Sequence, residues 1–145
     1  LNGWRMMGAE MAIPWMYLRI AEIYLLEDKV ERCIEALNEA LIVIVNTKEG
    51  LYEADIHRLK GVAMSRLGSH PGAFKEINRA ISLASKRKQL LWLIRALNSH
   101  VELSYELKNE QRMLTTLEET INKIEHKKDQ VDILKAKELL SSLKS

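Results

Sequence analysis

The sequence carries a single cysteine, Cys33, two prolines, six glycines and one phenylalanine in 145 residues. One cysteine excludes an intrachain disulfide framework and points to a reducing, cytoplasmic compartment. So few breakers leave long stretches in which helices can run. No apolar run approaches the roughly 20 residues that a membrane-spanning helix needs; the most apolar is only Ala40 to Val45. An excess of one charge is missing too. The 22 basic residues face 20 acidic ones, a formal net charge of +2, without the basic surplus of a nucleic-acid-binding module. No basic segment followed by an apolar one opens the chain, as a secretory signal would. It starts at Leu1, which reads as a piece of a longer protein. Residues 1–11 are then a leader or the remnant of a preceding helix, and 12–145 a single domain.

What is present is helical in character. Hydrophobic residues make up 47% and charged residues 29%, too apolar for disorder and ordinary for a folded domain. A shift of forty residues lays the sequence on itself without gaps. Ile34, Phe74 and Leu114 coincide, then Leu37, Ile77 and Leu117, then Leu41, Ile81 and Ile121, then Ile44, Ala84 and Ile124. Steps of three, four and three residues trace one helical face. Upstream, Tyr17, His57 and Leu97 coincide, followed by Ala21, Gly61 and Val101, then Tyr24, Met64 and Ser104. Each unit therefore holds two helices, A and B.

The pattern predicts seven helices near 12–27, 29–46, 52–67, 71–86, 90–107, 110–126 and 129–143, giving units 12–46, 52–86 and 90–126 plus a C-terminal cap. Asp28 with Glu31 reads as a helix N-cap and its reciprocal carboxylate. Ser69 and Pro71 mark another helix start, and Thr47 to Gly50 a break between units. The last helix, with Val131, Leu134 and Leu140 on one side, reads as the cover that an open stack of repeats requires. The expected fold is all-α, a right-handed superhelix of three antiparallel helix pairs and a capping helix.

The units resemble tetratricopeptide repeats. That pattern wants an aromatic, a small residue where A meets B, a second aromatic, a small residue in the turn and an alanine-spaced helix B. Unit one supplies Tyr17, Ala21, Tyr24, Cys33 and Ala40, and unit two Gly61, Gly68, Ala73 and Ala80. Unit three, with Val101, Ser104, Met113 and Thr120, departs most. A forty-residue period exceeds the usual 34 of such repeats. The longer variety is similar to the C-terminal repeats of maltose-activator-type regulators and adenylate-cyclase-linked signalling ATPases, notably over Glu53 to Gly61, Ala80 to Ala84 and Arg95 to Leu97. The resemblance implies binding of partner proteins or inducers and restraint of an attached output domain, with none of the catalytic domains in this chain.

Residues that carry chemistry are scattered. No glycine-rich phosphate loop is present, and Cys33 has no neighbour at zinc-ligand spacing; no metal, cofactor or catalytic group is expected. Cys33 falls at a small core position and reads as an inert buried thiol. His57 and His100 lie on A helices of neighbouring units but lack a third convergent group. His70 in a turn and His126 beside Lys127 and Lys128 read as exposed. Lys86 to Lys88 and His126 to Lys128 end helices, where positive charge complements the helix dipole. Trp92 reads as a staple between neighbouring helices, and Trp4 and Trp15 as possible partner anchors.

The A helices of such superhelices line an inner groove. The period assigns to it Leu18, Arg58 and Asn98; Glu22, Val62 and Glu102; Leu25, Ser65 and Tyr105; and, at the rim, Trp15, Asp55 and Arg95. Arg58, Arg95 and Asn98 suit a peptide's carboxylates or carbonyls. The function expected is a non-catalytic interaction or regulatory module of a larger signalling protein, binding a peptide or a neighbouring domain rather than nucleic acid or membrane. A small-molecule sensor is the alternative, an enzyme with a scattered site a third reading. Self-association through an uncapped end at Met6, Met7, Met11 and Ile13 is a fourth.

Overall fold

A computed structural model describes residues 10–107, 111–124 and 130–144. They form seven helices: α1 (Glu10–Leu26), α2 (Val30–Thr47), α3 (Glu53–Arg66), α4 (His70–Lys86), α5 (Leu90–Glu106), α6 (Gln111–Ile124) and α7 (Gln130–Lys144). No strand occurs among the described residues, and from the end of α1 to the end of α5 every boundary lies within one residue of the expected one. Glu10 and Met11 are the first described residues and lie in α1. Trp4, Met6, Met7 and His126 to Lys128 lie outside the described residues.

The helices pack in chain order as three pairs, α1 with α2, α3 with α4 and α5 with α6, while α7 lies against α5 and α6. B helices also meet the next A helix, α2 on α3 and α4 on α5, and α3 lies beside α5. The repeated apolar positions build this interior. Leu18, Ala21, Leu25, Cys33, Leu37, Ala40, Ile56, Leu59 and Ala63 form a core over α1 to α3, and Ile94, Leu97, Val101, Leu117, Ile121 and Leu140 one over α5 to α7. Ala73, Ile77 and Leu103 join the pairs between them. In α7, Leu140 is buried in the second core and Leu134 is exposed; the Val131 side chain lies outside the described residues.

At the contact of α3 and α4 a small residue sets the spacing. A Cβ on Gly61 would stand 2.6 Å from Ile77 Cγ1 and 2.8 Å from the Ala73 carbonyl oxygen.

The turns after α1 and α3 stand forty residues apart, and the turn after α4 closes the same way. Asp28, Gly68 and Lys88 take positive φ (61°, 81° and 56°). After each, an amide reaches back five residues: Lys29 N–H to Tyr24 O at 2.8 Å, Ser69 N–H to Met64 O at 3.0 Å and Gln89 N–H to Ala84 O at 2.9 Å. With the accompanying Asp28–Leu25, Gly68–Ser65 and Lys88–Ser85 bonds, this is the Schellman closure of a helix C-terminus. Lys48 ends α2 at φ 60° with one bond to Ile44 O. The capping-box reading of Asp28 is thereby corrected. Asp28 closes α1 in the left-handed region, which Asp tolerates because its short polar side chain bonds locally, and Lys29 stands at the N-cap of α2 without a side-chain bond. His70 is likewise the first residue of α4, half-buried, not a turn residue.

Residues 50–53 are strapped to the next unit. Arg87 donates to Gly50 O (3.0 Å) and Glu53 Oε1 (2.8 Å), while Gln89 and the Trp92 indole donate to Leu51 O (3.2 and 2.9 Å). Trp92 also packs against Tyr52 with ring centroids 6.0 Å apart.

Candidate functional site

Side chains of helices α1, α3, α5 and α7 line a polar recess of about 270 Å³: Arg19, Glu22, Arg58, Arg95, Asn98, Ser99 and Lys135. Helical spacing delivers these side chains. Arg19 and Glu22 are three apart on α1 and pair at 3.0 Å, while Asn98 and Ser99 stand three and four residues, about one turn, beyond Arg95 on α5.

Beneath the recess lies Asp55, its side chain wholly buried. Its Oδ1 accepts from Arg58 Nε at 2.6 Å, and its Oδ2 faces Arg95 at 3.6 Å. Arg58 also reaches Ser99 Oγ at 3.4 Å, and Arg95 lies over the Trp92 ring, 5.4 Å from its centroid. The charge-assisted bond from Arg58 fixes that guanidinium's plane, while the Asp55 Oδ2 facing Arg95 is buried without a hydrogen-bond partner. Lys135 from α7 pairs with Glu102 at 3.8 Å. Counting Arg19, Arg58, Arg95 and Lys135 against Glu22, Asp55 and Glu102, the site is close to neutral. It is built for directional hydrogen bonds more than for net charge. Asn98 is 3% exposed, and its Oδ1 is buried without a hydrogen-bond partner. Such an atom costs free energy until a donor meets it.

Of the residues expected in the groove, Glu22, Arg58, Arg95 and Asn98 line the recess. Leu18 and Leu25 do not: they are 0% and 7% exposed and belong to the core. Moving a leucine out of water contributes about 2 kcal/mol, and α3 lies close enough to receive them. Asp55 is buried rather than at a rim, for the electrostatic reason above. Val62 packs half-buried on the first core. The Ser65 hydroxyl is taken up by Val62 O at 2.7 Å. Glu102 and Tyr105 are exposed on α5 outside the recess. Arg19, Ser99 and Lys135 were not anticipated. Arg19 and Ser99 stand one position beyond Leu18 and Asn98, and an alternation of buried and polar neighbours was the available signal. Lys135 had none, because the placement of α7 lies outside the repeat.

The histidines take separate partners. Arg79 Nε can only donate, so His57 Nε2, 3.2 Å away, accepts, and Nδ1 donates to Glu76 Oε2 at 2.6 Å. Lys60 stands 3.7 Å from Glu76 Oε1. His100 packs on Phe74 with ring centroids 5.0 Å apart and bonds Ser104 Oγ at 3.0 Å. Burial lowers its pKa from 6.5. Cys33 is buried, and desolvation raises its thiol to about 11, with nearby Arg66 opposing and Glu22 adding to the shift. The thiol is protonated at neutral pH and so a weak nucleophile.

Among the described residues no group of three or more His, Cys, Asp or Glu is placed to hold a metal ion. No helix among them is long and apolar enough to cross a membrane. No family model, curated protein or solved structure matches the chain.

Proposed function

We propose that this chain is a non-catalytic interaction module, a tetratricopeptide-like right-handed superhelix that holds a peptide or a neighbouring domain of its parent protein on the A-helix face. Asn98 carries the reading. An amide with a buried, unpartnered oxygen at the wall of an open recess suits a main-chain N–H of an extended segment. Arg58, held by Asp55, and Arg95 beside it suit its carbonyls or carboxylates. The cost of ordering the Arg58 guanidinium is met in the free protein, which favours affinity. A small-molecule sensor would want a larger and mainly apolar enclosure. A cytoplasmic regulatory role follows from this reading together with the single cysteine.

A peptide library selected on the immobilised chain tests it. Selected peptides are expected to shift amide resonances of α1, α3 and α5. Asn98→Leu or Arg95→Ala should each weaken binding roughly tenfold, about 1.4 kcal/mol. Peptides that bind both variants as well as the unaltered chain, or that perturb only residues remote from these helices, refute it.

A further inference from the structure

Helix α1 is apolar on two opposite sides. Leu18, Ala21 and Leu25 fill the core, while across the helix Met16 and Ile23 are 50% and 54% exposed, beside Ile20. A helix hydrophobic all round is ordinarily buried all round. The repeat shows what buries this side. Forty residues on from Met16 and Ile23 stand Ile56 and Ala63, both 0% exposed, and forty further Ala96 and Leu103, at 0% and 4%. Ile56 and Ala63 share a core with Ala40 and Ile44 of α2, and Leu103 one with Ala73 and Ile77 of α4. At each later A helix, therefore, this register is covered by the preceding B helix. At α1 nothing among the described residues stands in that place.

Beside the open face runs a groove of about 1010 Å³ between α1 and α2, with Tyr17, Ile20, Tyr24 and Ala36 among its lining residues. The corresponding space at α3 and α4 is bordered by Leu41 and Val45, from α2. The chemistry of the two rims differs. Where α4 offers Lys75 and Arg79, α2 offers Glu35 and Glu39, one turn apart, with Glu31 a turn before. Asp28 adds to the acidic side, and of the two cations there, Lys29 is held by Glu27 at 2.8 Å.

We infer that the α1 face and this groove form a docking site for an amphipathic helix of a partner, seated as α2 sits on α3. Its apolar stripe covers Met16, Ile20 and Ile23, and Lys or Arg at four-residue spacing runs along the row Glu31, Glu35 and Glu39. The site lies on another side of α1 from Arg19 and Glu22 and does not depend on the recess.

Fluorescence anisotropy with two labelled amphipathic helices of about 18 residues, long enough to hold some helix in water, tests this. Both carry one Leu/Ala stripe, flanked by Lys in one and by Glu in the other. The Lys peptide is expected to bind saturably at micromolar concentration, at least tenfold tighter than the Glu peptide, and more weakly in about 0.5 M salt. Ile23→Glu should abolish binding and Glu35→Lys should erase the preference, with both variants melting like the unaltered chain. Equal binding of the two peptides, retention by Ile23→Glu, or no saturation up to millimolar peptide would overturn the inference. So would a concentration-dependent dimer, seen by light scattering and removed by Ile23→Glu, since the face would then belong to a second copy.

Discussion

Gly61 stands where a side chain would set two helices apart. Alanine there gains about 1 kcal/mol of helix propensity, but its methyl meets Ile77 and the Ala73 carbonyl inside 3 Å. A backbone oxygen cannot swing aside, and overpacking costs about 1–3 kcal/mol. Gly61→Ala should therefore lower the unfolding free energy by roughly 1–2 kcal/mol, read from urea denaturation. The alignment of Ala21, Gly61 and Val101 was visible in the sequence; that only glycine fits the middle unit was not, because it depends on where Ile77 packs. His100 bears on pH in a definite direction. Its folded pKa is depressed by burial, so the folded state disfavours the charged ring. The associated stability is complete above the unfolded value near 6.5 and is lost as pH falls through the folded one. The urea midpoint is expected to drop between about pH 7 and pH 5, and less steeply in His100→Leu. Parallel slopes in the two proteins would count against this account.

At the scale of the helix, the closing turns carry strain that side chains decide. Lys88 occupies the left-handed region at φ 56° and Gly68 at φ 81°. A residue with a Cβ there costs roughly 1–2 kcal/mol, and glycine costs little. Gly68→Ala is expected to lose about 1 kcal/mol, and Lys88→Gly to gain roughly half that, since the added freedom of the unfolded glycine offsets part of the relief. Calorimetric melting of both variants measures the pair; the same sign for both would refute the turn assignment. The period located these turns, but the residue identities misled. Asp28 followed by Glu31 is as good a local signal for a helix start as for anything else. The bond from Lys29 N–H back to Tyr24 O shows that the residue ends α1 instead. Local hydrogen-bonding capacity is ambiguous until the chain direction on either side is known.

Across the whole molecule, contacts run between neighbours in the stack, with α1 and α2 far along the chain from α5, α6 and α7 and not packed on them. Such an array transmits a defect weakly beyond adjoining units. Leu97→Ala, in the core of the last unit, should cost about 2–5 kcal/mol. It should also accelerate amide exchange in α5 and α6 much more than in α2; uniform acceleration would mean one indivisible core instead. The forty-residue period alone was enough for the all-α class, the first six helices, the pairing within units and the buried row of Leu37, Ile77 and Leu117. Those features follow from helical geometry and from burying one face, which the spacing of apolar residues encodes directly. Other features rest on packing between distant segments, which no local pattern encodes. Leu18 and Leu25 turn inward because α3 is there to receive them. Asp55 is buried because Arg58 and Arg95 converge on it. The recess gains Lys135 because α7 lies against α5. Met16 and Ile23 stay exposed because no B helix among the described residues precedes α1.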